Sequence, residues 1–173
     1  ARLEAISAED VLRADLYDFL SAFLARQPSG ILLTQTAELK GDDSDIGRGI
    51  AALARLADAV DPRDAHREFN ALFIGLGRGE LLPYGSYYLT GFLNEKPLAR
   101  LRGDMARLGI EREDNVYEPE DNIASLCEMM AGLIRQVCLN KSNSLKPISR
   151  PGQSCSSRIW KLRKHLCSMR QSV

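Results

Sequence analysis

Apolar positions recur at three- and four-residue intervals along most of the chain, and no stretch shows the strict alternation of a half-buried strand. Ser7-Ala8-Glu9-Asp10 reads as a helix start, a hydroxyl cap followed by acids in the first turn. Behind it Leu12, Leu16, Phe19, Leu20 and Phe23 define one apolar face, and Pro28-Ser29-Gly30 ends the helix. Residues 31–40 fit a short helix or an extended piece equally well, and Gly41–Ser44 is a loop. Ile46, Ile50, Leu53, Leu56, Ala57 and Val60 predict a second amphipathic helix that stops near Asp61-Pro62. A third carries Phe69, Leu72, Phe73 and Leu76 and runs into the glycines at 75, 77 and 79, which should break it.

After an aromatic turn at Leu81–Leu89, Pro97 suits the first turn of a helix with Leu98, Leu101, Met105 and Leu108 inward; Gly109 fits just past its end. Glu118-Pro119-Glu120-Asp121 is expected to start the last clear helix, with Ile123, Leu126, Met130, Leu133 and Ile134 on its apolar face. No internal repeat is visible. The pattern predicts an all-α fold, a compact helical bundle with one long irregular connection.

The 173 residues fit one ordinary domain, and 45% hydrophobic composition is enough for a real core. No apolar run approaches the roughly 20 residues of a membrane-spanning helix. The first residues, Ala1–Ala5, lack the basic start and apolar stretch of a signal peptide. These features predict a soluble, cytoplasmic protein.

Charge changes the picture. Residues 1–136 hold 15 Lys+Arg and 23 Asp+Glu, whereas residues 137–173 hold 8 Lys+Arg and no acid. The net charge of zero therefore joins a body of −8 to a tail of +8. That tail also carries eight serines, Cys138, Cys155, Cys167 and Trp160.

Catalytic signals are poor. His66, the one histidine of the body, reads as solvated or capping, and no Ser/His/Asp or Cys/His set assembles without the tail. Cys127 reads as a buried structural thiol. Gly75-x-Gly77-x-Gly79 follows a helix and lacks the Lys-Ser/Thr that grips nucleotide phosphates. Cys155, His165 and Cys167 could in principle hold zinc, but three ligands without a tight Cys-x-x-Cys pair make a weak signal. No catalytic residue, metal site or cofactor is assigned.

Two body segments look more deliberate. Leu72-Phe73-Ile74-Gly75 leads to Pro83-Tyr84-Gly85-Ser86-Tyr87-Tyr88, whose three tyrosines can grip a peptide or merely cover the end of the core. Glu118–Asn122 places carboxylates at a helix start, where they can cap it or pair with the guanidinium groups of an arginine-bearing ligand.

Together with Leu16-Tyr17-Asp18-Phe19-Leu20, these segments resemble the TorD/DmsD/NarJ family of redox-enzyme maturation chaperones, over about residues 9 to 135. The resemblance implies an all-helical cytoplasmic chaperone. Its partners would be the twin-arginine signal peptide and the apo form of a molybdenum-containing oxidoreductase, which it holds for cofactor insertion before export. Some members act on enzymes that stay in the cytoplasm, nucleotide binding has been associated with the family, and domain-swapped dimers are known alongside monomers. By motif match the peptide-binding residues are Leu72, Phe73, Pro83, Tyr84, Tyr88, Asp121 and Asn122. A net charge of −8 beside an aromatic turn complements a cationic peptide with an adjoining apolar run.

Two departures stand out. Asn122 occupies the place of the histidine in the family's Glu-Pro-x-Asp-His motif, and asparagine does not titrate near neutrality. The helical pattern also stops near Gln136, where family members continue with closing helices. Three origins fit residues 137–173: a basic arm for nucleic acid or lipid, a divergent pair of closing helices, or translation out of frame. We favour the last, because acids and periodicity vanish together; a short helix near 158–167 remains compatible with Ile159, Leu162 and Leu166. The domain reading is a helical chaperone domain over 1–136 and a basic tail over 137–173. The alternative function is a helical adaptor whose tail contacts nucleic acid in a salt-dependent way.

Overall fold

A computed structural model of the chain describes residues 7–75, 79–112 and 116–140, the last five as backbone only. Among these residues the secondary structure is all-α: seven α-helices and one π-helical turn. The chain divides into two compact units. Among the described residues, one comprises the stretch up to Ala25 and the stretch from Leu82 to Asn140; the other is Arg26–Leu81.

In the first unit α1 (Ala8–Leu24) begins where expected, with Ser7 Oγ accepting the Asp10 N–H at 3.1 Å. Helix α1 packs on α7 (Ile123–Asn140). The buried faces are small: Ala14, Ser21 and Ala22 on α1, and Ala124, Cys127 and Ala131 on α7, with Phe19 as the large exception. This corrects the expected stripes, since Leu20, Ile123 and Met130 are exposed. Small residues let two helix backbones approach closely, so the contact line runs one position away from the largest side chains. Arg135 ties the pair together, its Nη2 lying 2.8 Å from Asp15 Oδ1 and 2.7 Å from Asp18 Oδ2.

Two shorter helices of this unit, α5 (Gly85–Thr90) and α6 (Lys96–Leu108), also pack together. Pro97 stands in the first turn of α6, and Gly109 ends it in the left-handed region at φ 67°. Leu98 and Met105 point inward as predicted, while Leu108 is exposed. Cys127 is buried, free and pushed up in pKa by burial, as a structural thiol should be.

In the second unit, residues left undecided by periodicity form α2 (Gly30–Ala37), capped by Ser29 and burying Leu32, Leu33 and Thr36. It packs on α3 (Asp45–Ala59), which buries Gly47, Ala54 and Ala57 and leaves Ile46 and Leu56 exposed. Asp61 caps α4 (Pro62–Phe69), with Pro62 at its first turn. The α4 ladder loosens into the π-helical turn Asn70–Ile74, closed by the Gly75 N–H donating to Asn70 O at 2.7 Å. Gly75 adopts φ 59°, which suits glycine and ends the helical run as predicted. The basic tail lies outside the described residues, apart from helical backbone that continues to Asn140. The expected short helix near 158–167 and the place of Leu76 lie outside them too.

Candidate functional site

The tyrosine segment and the acidic segment, more than thirty residues apart, are joined by backbone pairing. Tyr84 and Asn122 face each other in an isolated antiparallel bridge. The Gly85 N–H donates to Asp121 O at 2.9 Å, and the Ile123 N–H donates to Pro83 O at 2.8 Å. Pro83 has no N–H of its own, but its carbonyl is free to accept, so proline is compatible with this short pairing.

The carboxylates of Glu118-Pro119-Glu120-Asp121 precede α7 rather than forming its first turn, and each one faces a different partner. Asn122 caps α7, its Oδ1 accepting the Ala124 N–H at 2.9 Å. Asparagine is among the best residues for that task, which gives the departure from histidine a structural role. Asp121 is 4% exposed, and its Oδ2 accepts the buried Ser86 N–H at 2.7 Å, at the start of α5. The Arg102 guanidinium donates to Glu120 Oε2 at 2.9 Å, and Arg112 Nε lies 3.7 Å from Oε1. Burial pushes the Glu120 carboxyl up; the two arginines and a backbone hydrogen bond outweigh it and hold the group below its ordinary value. Glu118 is exposed and accepts the Tyr84 hydroxyl at 2.5 Å.

Tyr84 is half-buried, and its pKa is pushed up to about 12, first by burial and then by the hydrogen bond and charge of Glu118. Asp121 adds to the rise, whereas a hydrogen bond from Asn122 opposes it. The folded state thus holds this proton more tightly than the unfolded chain. Its stabilisation is present in full below pH about 10 and is lost as pH rises toward 12. Phenolate absorbance, compared between the parent and Tyr84→Phe, should show one tyrosine ionising near pH 12. Loss of an ordinary transition near 10 on that substitution would contradict the arrangement.

The remaining predicted residues sit as follows. Tyr88 is 67% exposed, one turn along α5 from Tyr84, with Tyr87 edge-on to it at 5.6 Å between ring centres. Pro83 is half-buried. Leu72 and Phe73 belong to the other unit, in the π-helical turn, both half-buried; Phe73 packs on Phe69 with ring centres 4.8 Å apart. The chain returns over them: the Leu81 N–H donates to Leu72 O at 2.7 Å, and a Cβ on Gly79 would fall 2.5 Å from that same oxygen. A glycine is therefore required at 79 for close approach.

Sequence reasoning missed Ser86, Arg102 and Arg112, which organise the acidic segment. Only their charge or smallness was visible, and nothing local ties Ser86 to a residue 35 positions away, Arg102 to one 18 away or Arg112 to one eight away. No group of side chains suited to a metal ion occurs among the described residues, and none of their helices is long and apolar enough to cross a membrane.

Comparison with known proteins agrees with this frame. The family model described as nitrate reductase delta subunit matches residues 39–159. The chain is 31% identical over 135 residues to the chaperone protein TorD of Vibrio cholerae serotype O1, covering 70% of this chain and 61% of that protein. It is 26% identical over 147 residues to the chaperone protein TorD of Vibrio vulnificus, covering 76% of this chain and 68% of that protein. The chain thus spans roughly three-fifths of the Vibrio cholerae relative's length. A crystal structure described as a redox enzyme maturation protein from Archaeoglobus fulgidus shares the fold, with a TM-score of 0.52 and 17% identity over 88% of this chain and 93% of that one. With well over half of its length under the family model and the four motifs in register, the chain belongs to the nitrate reductase delta subunit family, the TorD/DmsD/NarJ group.

Proposed function

We propose that this protein is a cytoplasmic chaperone for a molybdenum-containing oxidoreductase, binding the apo-enzyme and its twin-arginine signal peptide and turning over no substrate of its own. Similarity to proteins named TorD chaperones supports the maturation role. The peptide-binding role is carried by one observation: the backbone pairing that holds the tyrosine segment against Glu118–Asn122. That pairing sets aromatic and acidic groups side by side, in a body of net −8 over residues 1–136. A cationic peptide with an adjoining apolar run complements both. Pro83, Tyr84, Tyr88, Asp121 and Asn122 form the proposed peptide-binding site of one unit, by contact or by holding it in shape, and Leu72 and Phe73 are proposed peptide contacts of the other unit. Residues 1–136 are the proposed chaperone domain and 137–173 a basic tail.

Titration calorimetry with a twin-arginine signal peptide tests the reading. Binding is expected in the low micromolar range, on the order of −8 kcal/mol at 1 μM. A Lys-Lys version should bind about tenfold more weakly, because lysine cannot make the paired contact of a guanidinium with a carboxylate. Equal binding of the two peptides would remove the guanidinium argument.

A further inference from the structure

The three carboxylates of the acidic segment differ in what a partner can reach. Asp121 is 4% exposed and committed to the Ser86 amide, and the Glu120 side chain, 11% exposed, lies between Arg102 and Arg112. Glu118 alone of the three is exposed. The Tyr84 hydroxyl fixes one of its oxygens, and a carboxylate has about four acceptor positions, so capacity for a guanidinium remains.

Tyr84 stands immediately before α5, and Tyr88 follows it by one turn. Beyond Tyr88 lie Leu89, Phe92 and Leu93, so four large apolar side chains within six residues are exposed, by 67%, 73%, 69% and 44% in chain order. Isolated exposed leucines are ordinary, but four large apolar side chains exposed within six residues point to an interaction surface. Its geometry is held in place. Gly91 reverses the chain at φ 81°, the Thr90 hydroxyl donates to Ser86 O at 2.9 Å, and the Phe92 N–H donates to Thr90 Oγ1 at 3.3 Å.

Resting on the peptide-binding function proposed above, we infer that the peptide lies along α5 in a fixed direction. Its arginine sits on Glu118 at the Tyr84 end, and its apolar run covers Tyr88, Leu89 and Phe92. Glu118, rather than Asp121, is then the residue that distinguishes arginine from other side chains, and Tyr84 orients it. The occupant is a cationic segment followed by an apolar one because the surface is acidic at one end and apolar at the other.

A double-mutant cycle tests this, using the full chain and two synthetic signal peptides that differ only in Arg-Arg against Gln-Gln. Glu118→Gln keeps an acceptor for Tyr84 and should weaken the Arg-Arg peptide about tenfold, with less than a twofold change for Gln-Gln. Leu89→Ser with Phe92→Ser should weaken both peptides about equally, by roughly tenfold. If the parent protein prefers Arg-Arg and Glu118→Gln retains the whole preference, the inference falls while the peptide-binding function stands. If the parent binds neither peptide, the proposed function fails and the inference fails with it. Sedimentation of the same variants decides a rival occupant. Loss of self-association in Leu89→Ser/Phe92→Ser, with peptide affinity intact, would assign the apolar surface to a second copy of the chain and overturn the inference.

Discussion

Replacing Asp121 with alanine should lower the unfolding free energy by about 2–4 kcal/mol, a large effect for a residue that motif matching places in a binding site. The Asp121 carboxylate accepts the Ser86 N–H at 2.7 Å, and both residues are buried, Ser86 completely. A hydrogen bond to a charged acceptor contributes roughly 1.5–3 kcal/mol, and because truncation leaves the Ser86 N–H buried without an acceptor the loss reaches the top of that range or about 1 kcal/mol beyond it. Asp121→Asn should lose much less. Its side-chain oxygen can still accept, and Asp121 Oδ1 and Ser86 Oγ have no hydrogen-bond partner among the described residues, so the carboxylate is already incompletely satisfied. Urea denaturation at pH 7 measures both variants, with an unchanged m-value confirming that stability alone has moved. A loss below about 0.5 kcal/mol for Asp121→Ala would show that the buried bond does not matter. Peptide affinity should fall with stability in that variant, because α5 carries the proposed apolar surface.

Arg135→Met should cost about 3 kcal/mol. The guanidinium serves Asp15 and Asp18 of α1 together, and the Asp18 side chain is only 7% exposed. Burial works against the charge on Arg135, but the hydrogen bonds and charges of Asp18 and Asp15 outweigh it and hold its pKa above the ordinary value. Removing one partner of a fully buried ion pair costs about 3–5 kcal/mol, because the other charge is left without compensation. Arg135 is 36% exposed, so water reaches part of the site and the lower end of that range applies. The double variant Arg135→Met/Asp18→Asn should recover part of the loss, since the most buried uncompensated charge is gone. No recovery, or a single-variant loss below 1 kcal/mol, would mean that the α1–α7 contact stands on apolar packing alone.

Sequence signals are decisive where the physics is local. Ser7 caps α1, Pro97 opens α6 and Gly109 closes it, because each acts through its own backbone or that of residues within one turn. The break after the Phe69–Phe73 stripe was legible for the same reason: Gly75 needs a positive φ and sits where the helical run ends. Residues 31–40 are not legible, since the eight-residue helix α2 holds too few turns for periodicity to separate helix from strand. Their helix is decided by the burial of Leu32, Leu33 and Thr36 in the unit they share with α3.

The candidate site divides along the same line. Both segments could be picked out in the sequence, and their family could be recognised from the order of the motifs. What each carboxylate does could not, because its partner is far away in the chain: Ser86 for Asp121, Arg102 for Glu120, Tyr84 for Glu118. The helix faces show the same limit. Large side chains predicted a stripe through Ile123, Leu126 and Met130, whereas α7 turns Ala124, Cys127 and Ala131 toward burial. By itself the sequence determined where α1 begins, where α3 stops, both ends of α6, the acidic balance of the body, and the family. Only the tertiary structure decided which face of each helix is covered and which carboxylate stays open to a partner. Burial depends on how closely two backbones can approach, and small residues permit that approach however weak their own hydrophobic signal.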